Sequence, residues 1–181
     1  MMHQTRSVRI DLSKFELSSE NRRILRKGEE VSCTQHELPL CEYAWTIGKM
    51  AKDFYDKKAG GAFSANKIKE LLTTNHNFTH LYEYSSGLGY VICYRDTSIL
   101  HYSYPFYDLE KAPNNMGIIM MTKAIVDAQE KGLKYVYLGS LQRPTDVYKF
   151  QFSGMEWFDG TSWQKDIEQA KIALQEIPHG N

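Results

Sequence analysis

The chain has 181 residues, with 22 lysines and arginines against 22 acidic residues and a formal net charge of zero. That balance excludes a bulk electrostatic affinity for nucleic acid, so any such affinity has to come from a local patch. The length suits one domain that buries most of its unfolded surface without disulfides or metal, and no apolar run approaches a membrane span.

Taken in order, Ser7–Leu12 alternates apolar and polar residues and predicts a first strand. Ser18–Lys27 places four cations, Arg22, Arg23, Arg26 and Lys27, within six positions, and Gly28-Glu29-Glu30 breaks it. Val31–Leu40 holds a second short strand. Glu42–Lys58 carries Ala44, Ile47, Ala51 and Phe54 at helical spacing and stops at Gly60-Gly61. Ser64 can cap a shorter helix containing Ile68, Leu71 and Leu72. Thr79–Tyr84, Gly87–Arg95 and Ser98–Tyr104 are separated by turn signals and predict an antiparallel meander.

The stretch from Asn114 to Trp163 organises the rest. Ile118, Met121, Ile125 and Ala128 form an apolar helical stripe, with Asn114 or Asn115 as cap and Gly132 as stop. Tyr135–Leu138 is a short strand ended by Gly139. A polar loop follows, then a second short strand in Val147–Phe152, then Glu156-Trp157-Phe158 and an Asp159-Gly160 turn. Trp163–Ile177 predicts a final amphipathic helix with Ile167, Ala170, Leu174 and Ile177 on one side. The fold class expected is α/β (α+β): a mixed sheet with an antiparallel meander flanked by helices, in the element order of GNAT-type acyltransferases.

Cys33, Cys41 and Cys93 show no CxxC spacing and read as reduced thiols, with Cys93 inside an apolar strand. The polar N-terminus carries no targeting signal, and the expected compartment is the cytosol. His76 and His80 sit four apart, but in a loop and without a third ligand, so no metal site is expected. Ala112–Gly117 lacks the Gly-x-Gly pyrophosphate loop of coenzyme A acetyltransferases, which argues against acetyl-CoA. No Ser-His-Asp or Cys-His arrangement has a recognisable context.

Two groups of residues carry a resemblance. The first is Asn115-Met116-Gly117, Lys134–Gly139, Tyr148-Lys149-Phe150 and Trp157. The second is Phe15 followed by Ser18–Lys27, with Tyr43 and its helix between the two. In this order they resemble arginyl-tRNA–protein transferases, whose catalytic half has a GNAT-type fold. The resemblance implies a single aminoacyltransferase domain over 1–181, with the family's N-terminal cysteine-rich domain missing. It implies transfer of an amino acid, arginine above all, from tRNA to a protein N-terminal Asp or Glu, with no cofactor besides the aminoacyl-tRNA co-substrate and no membrane partner.

Under that resemblance, Asp108 with Tyr104 and Tyr107 is the expected catalytic group, its carboxylate facing the donor; the plain alternative is an Asp that ends a strand in a turn. Gly117, Tyr137, Gly139, Tyr148 and Lys149 are expected to bind substrate. Free amides at the Gly117 helix start suit a phosphate or an ester carbonyl. Lys149 and Arg143 both suit an acidic acceptor; the alternative is that both are exposed loop or edge-strand charges, and for Arg143 that alternative is favoured. Arg22, Arg23, Arg26 and Lys27 would hold tRNA phosphates, the alternative being a solvated helix face neutralised by Glu20, Glu29 and Glu30. Two other functions fit the same chain: an acyl-CoA N-acyltransferase, and a non-catalytic module for tRNA ends or peptide N-termini.

Overall fold

The computed structural model of the chain describes residues 6–61 and 63–175. Eight strands form one sheet: β1 (Ser7–Asp11), β2 (Cys33–Glu37), β3 (His80–Tyr84), β4 (Gly89–Arg95), β5 (Ile99–Tyr107), β6 (Tyr135–Ser140), β7 (Met155–Phe158) and β8 (Trp163–Gln164). Their order across the sheet is β2-β3-β4-β5-β6-β1-β7-β8. Every pairing is antiparallel except β5 with β6. A parallel pair needs a crossover, and α4 (Met116–Glu130) supplies it. The result is the mixed, mostly antiparallel sheet flanked by helices that the element order predicts, consistent with a GNAT-like α+β fold.

Alternation along β4 shows how both faces are filled. Val91 and Cys93 join the core under α4 and α1 (Ser19–Lys27), while Tyr90 and Ile92 join the core under α2 (Trp45–Ala59) and α3 (Ala65–Thr73). A strand buried on both faces reads as a continuous apolar run, as Tyr90–Cys93 does. Ser18 caps α1 through the amide of Asn21, and the Asn21 side chain answers with the amide of Ser18. Ser64 caps α3 through the amide of Lys67.

The feature that positions the site is a divergence of strands. β5 and β6 pair only from Ile99↔Tyr135 to His101↔Tyr137. Beyond that point β6 stays with β1 as far as Ser7↔Ser140, while β5 follows β4 out to Gly89↔Tyr107. Opposite the step from Ile92 to Cys93, β5 advances from Tyr104 to Tyr102, so Ser103 is an extra residue in the ladder. A bulge of this kind bends its strand and raises the local twist. β5 therefore swings away from β6 and a wedge opens between them.

Several expectations are corrected. Val147–Phe152 is not a strand: Pro144–Gln151 is a 3-10 helix, started by Pro144 and held by Asp146, whose carboxylate accepts the amides of Gln142 and Arg143. Trp163 lies in strand β8, and the last helix, α5 (Ile167–Gln175), begins only after Asp166, which accepts the amides of Glu168 and Gln169. Ile177 lies outside the described residues. Asn115 is the N-cap of α4 in left-handed conformation, but its side chain makes no capping bond. The buried side of α4 is also wider than one stripe, with Ile119, Met120 and Ala124 included, while Ile118 is only half-buried.

Candidate functional site

The wedge between β5 and β6 is a cleft with two halves. One, of about 500 Å³, runs toward the start of α4 between Phe54, Pro105, Tyr107, Gly117 and Ile118, with Glu20 and Arg23 also lining it. The other, of about 390 Å³, runs toward the end of β6 between His101, Tyr104, Gly139, Ser140, Arg143 and Lys149. Tyr102, Pro105, Met121 and Tyr148 line both halves, so they mark the throat where the halves meet.

The α4 half is largely apolar. The Tyr107 ring lies 3.5 Å from where a Cβ on residue 117 would sit, an ordinary van der Waals contact, so the ring lies beside the helix start. Its cations and anions are spent on each other: Arg23 donates to Glu20 through two nitrogens. No carboxylate in this half is left to meet a cationic ligand.

The β6 half is polar. Lys149 is 4 % exposed. Its Nζ donates to the Ser140 carbonyl at 2.8 Å and lies 3.7 Å from Asp146 Oδ1. Burial pulls its pKa below the ordinary 10.5, against the opposing pull of Asp146. Arg143 is exposed beside it and, among the described residues, has no carboxylate within ion-pairing distance. Gly139 holds φ at 75°, a left-handed residue inside β6, which runs one residue further, to Ser140, than the glycine stop predicts. The His101 ring packs edge-on to Tyr137, and burial lowers its pKa below the ordinary 6.5 although part of the residue faces solvent.

Tyr104, Tyr107, Gly117, Gly139, Tyr148 and Lys149 thus come together in one cleft, although Tyr104 and Tyr107 stand in different halves. Tyr148 is 40 % exposed, and partial burial of its phenol together with Asp146 pushes its pKa up to about 12. Lys149 is neither an exposed loop charge nor on an edge strand: it pins the 3-10 helix to the end of β6. Asp108 lines a separate hollow with Lys49, Asp53 and Lys57. Its Oδ1 accepts the amides of Glu110 and Lys111, and these bonds, that of Lys111 above all, hold its pKa below 3.8. That is the turn-closing Asp that the sequence also allowed.

Tyr137 lines neither half of the cleft: its ring lies edge-on to His101 and 5.9 Å from Trp163, with its hydroxyl toward Arg9. Arg22, Arg23, Arg26 and Lys27 are exposed on α1. Arg22 donates to the Leu17 carbonyl, and Arg22 and Arg26 flank a shallow depression with Ser19 and Leu25. Sequence reasoning missed Tyr102, His101, Ser140 and Met121. A bulge leaves no residue signature, so the residues it exposes read as ordinary meander and helix core.

No protein-family profile matches the chain. Over 63 residues it is 41 % identical to an aspartate/glutamate leucyltransferase of Ruegeria pomeroyi (strain ATCC 700808 / DSM 15171 / DSS-3) and 38 % identical to one of Dinoroseobacter shibae (strain DSM 16493 / NCIMB 14021 / DFL 12). That segment is 34 % of this chain and only 23 % and 22 % of the two relatives. In three dimensions the chain resembles L-PGS from Bacillus licheniformis, with a TM-score of 0.58 and 11 % identity over 94 % of this chain and 64 % of that one. It also resembles a C-terminal DUF2156 domain from Agrobacterium fabrum, with a TM-score of 0.55 and 11 % identity over 93 % and 62 %. At such identity these two likenesses speak for the fold alone. Among the described residues, no helix is long and apolar enough to cross a membrane.

Proposed function

We propose that this chain moves an aminoacyl group from the 3′ end of a tRNA to the amino terminus of a protein beginning with Asp or Glu, and that the group is leucyl. The 63-residue match to aspartate/glutamate leucyltransferases carries the reading. The cleft supports it from chemistry. The α4 half is apolar and offers no free carboxylate, which suits a leucyl side chain and leaves the guanidinium of an arginyl donor unpaired. Arginine, which the family resemblance favours, is thus the less suited donor. The β6 half offers Arg143 as an uncommitted cation for the acceptor carboxylate.

An aminoacyl ester is already activated, so the protein's main task is to align amine and ester, which supplies at most roughly 7–11 kcal/mol. The amine attacks the ester carbonyl carbon, the carbon–oxygen bond to the ribose breaks, an amide forms, and the ribose oxygen leaves with the bonding pair and takes up the proton that the amine gave to the base. The amine's proton has to leave. Asp108 is a weak base whose oxygen the turn already occupies, so we assign proton acceptance to the His101 imidazole, which lines the acceptor half. His101→Asn should lower kcat about 100-fold and remove the acid limb of the pH–rate profile; a wild-type profile would reject the assignment. Gly117 with the start of α4 holds the donor end, and Arg22, Arg23, Arg26 and Lys27 meet tRNA phosphates.

The test of the whole reading is direct. Purified protein is incubated with radiolabelled leucyl-tRNA or arginyl-tRNA and with peptides starting with Asp, Glu or Ala. Label should pass from leucyl-tRNA to the Asp and Glu peptides. Transfer from arginyl-tRNA instead would overturn the donor assignment, and no transfer from either would overturn the activity.

A further inference from the structure

At the throat stands a polar group with nothing to do. Tyr102 is 3 % exposed, and its hydroxyl is buried without a hydrogen-bond partner. Among the described residues only one other buried side-chain atom shares that condition, Asn21 Nδ2, and Asn21 already has its structural task in the cap of α1. Native structures seldom leave a buried hydroxyl unpaired, and one that is left so asks for an explanation. Tyr102 has no such structural task. It follows the last β5–β6 pair, precedes the Ser103 bulge, and is one of the four residues common to both halves of the cleft.

We infer that the Tyr102 hydroxyl is a catalytic hydrogen-bond donor to the carbonyl oxygen of the acyl group in transfer. The inference rests on the aminoacyl-transfer reading and adds a residue to it. If donor and acceptor enter from opposite halves, the reacting carbonyl lies where the halves meet, beside this group. As the amine adds to the carbonyl carbon, the carbonyl π electrons move onto oxygen, and the O–H of Tyr102 donates to that oxygen. When the carbon–oxygen bond to the ribose breaks, the electrons return to re-form the carbonyl and Tyr102 keeps its proton. A donor held in a site from which water is excluded stabilises developing charge more than one in water does.

Two observations fit that role. Burial holds the Tyr102 phenol well above its ordinary pKa, so it stays an O–H donor throughout the neutral range. Water does not reach the hydroxyl, but Met121 and Tyr148, which share the throat, are an unbranched flexible side chain and one 40 % exposed. In the step we infer, these two side chains turn aside and the carbonyl reaches the hydroxyl with no strand moved.

The experiment uses Tyr102→Phe in the full chain. Because the hydroxyl bonds nothing inside the protein, the variant should keep or raise the wild-type Tm, while kcat for leucyl transfer falls roughly 100-fold and KM for tRNA and peptide stays the same. A second readout uses an uncleavable donor end, 3′-leucylamido-3′-deoxyadenosine with a 13C-labelled carbonyl. On binding wild type, the carbonyl stretch should move to lower frequency than on binding Tyr102→Phe. Equal kcat, equal carbonyl frequencies, or a Tm loss that accounts for the activity loss would each overturn the role of Tyr102 while leaving the transfer reading intact. Failure of wild type to transfer any aminoacyl group overturns both, and the wild-type control separates the two cases.

Discussion

Two cations six positions apart in sequence, Arg143 and Lys149, stand in the same half-cleft under opposite electrostatic conditions. Lys149 has its proton donors committed to Ser140 and Asp146, whereas Arg143 is open to solvent. Arg143→Ala should therefore leave the Tm unchanged and raise KM for Asp- and Glu-starting peptides about 10-fold or more, since a charge-assisted bond is worth roughly 1.5–3 kcal/mol. Lys149→Met should instead cost about 1–3 kcal/mol of stability, because the Ser140 carbonyl and Asp146 lose their partner. Steady-state kinetics with acidic and neutral peptides, alongside urea melts, separate the two; equal KM changes in both variants would reject the division of roles. Asp108 belongs to the acid side of stability, with Asp96 and Asp159, each closing a turn by accepting backbone amides. All three have folded pKa values below the ordinary 3.8. The unfolded chain then binds more protons, so their stabilisation is present above 3.8 and is lost as pH falls through the depressed folded values. Asp108→Asn keeps an acceptor oxygen but no longer titrates, so melts between pH 5 and pH 2 should show a shallower loss than wild type; an unchanged slope would mean that Asp108 contributes nothing.

At the scale of elements, α1 and α4 meet at Gly28. A Cβ there would lie 2.3 Å from Ile119 Cγ2, a buried side chain with nowhere to turn. Gly28→Ala should cost about 1–3 kcal/mol by overpacking. Adding Ile119→Ala should recover part of it, and a strictly additive double-mutant cycle would refute the contact as the cause. This contact was not legible beforehand, although Gly28 did read as the end of α1. What the sequence does disclose are elements whose own chemistry fixes them: the alternation of β1, the Ser64 cap, the turns of the meander and the apolar repeat of α4. It discloses poorly what distant groups decide. Val147–Phe152 has strand-like composition, but Asp146 bonding back to Gln142 and Arg143 coils it, and Lys149 finds its partner at the end of another strand. The cleft is legible only in part for the same reason. Gly117, Gly139, Tyr148 and Lys149 stand out in sequence, while Tyr102 and His101 depend on where one bulge turns β5.

For the whole molecule the constraint is neutrality. With 22 basic and 22 acidic residues, affinity for a polyanion must arise where cations are left unpaired. On α2, Lys49 and Lys52 are tied to Asp53 and Asp56 at helical spacing. On α1 only Arg23 is tied in this way, to Glu20, and Arg26 and Lys27 stand at the C-terminal turn with no carboxylate within ion-pairing distance among the described residues. Counterion release depends on phosphates neutralised, not on bulk charge, and each contact contributes roughly 0.7–0.9 to the log–log salt slope. Arg26→Ala with Lys27→Ala should flatten the slope of tRNA binding by about 1.4–1.8, and weaken all tRNAs alike because phosphate contacts carry no sequence information. Lys49→Ala with Lys52→Ala removes the same formal charge from pairs already neutralised and should leave the slope unchanged. Titrations at several salt concentrations with both double variants decide the matter. A slope that falls equally in both would mean that tRNA senses the field of the whole surface, and α1 would then be a solvated helix face.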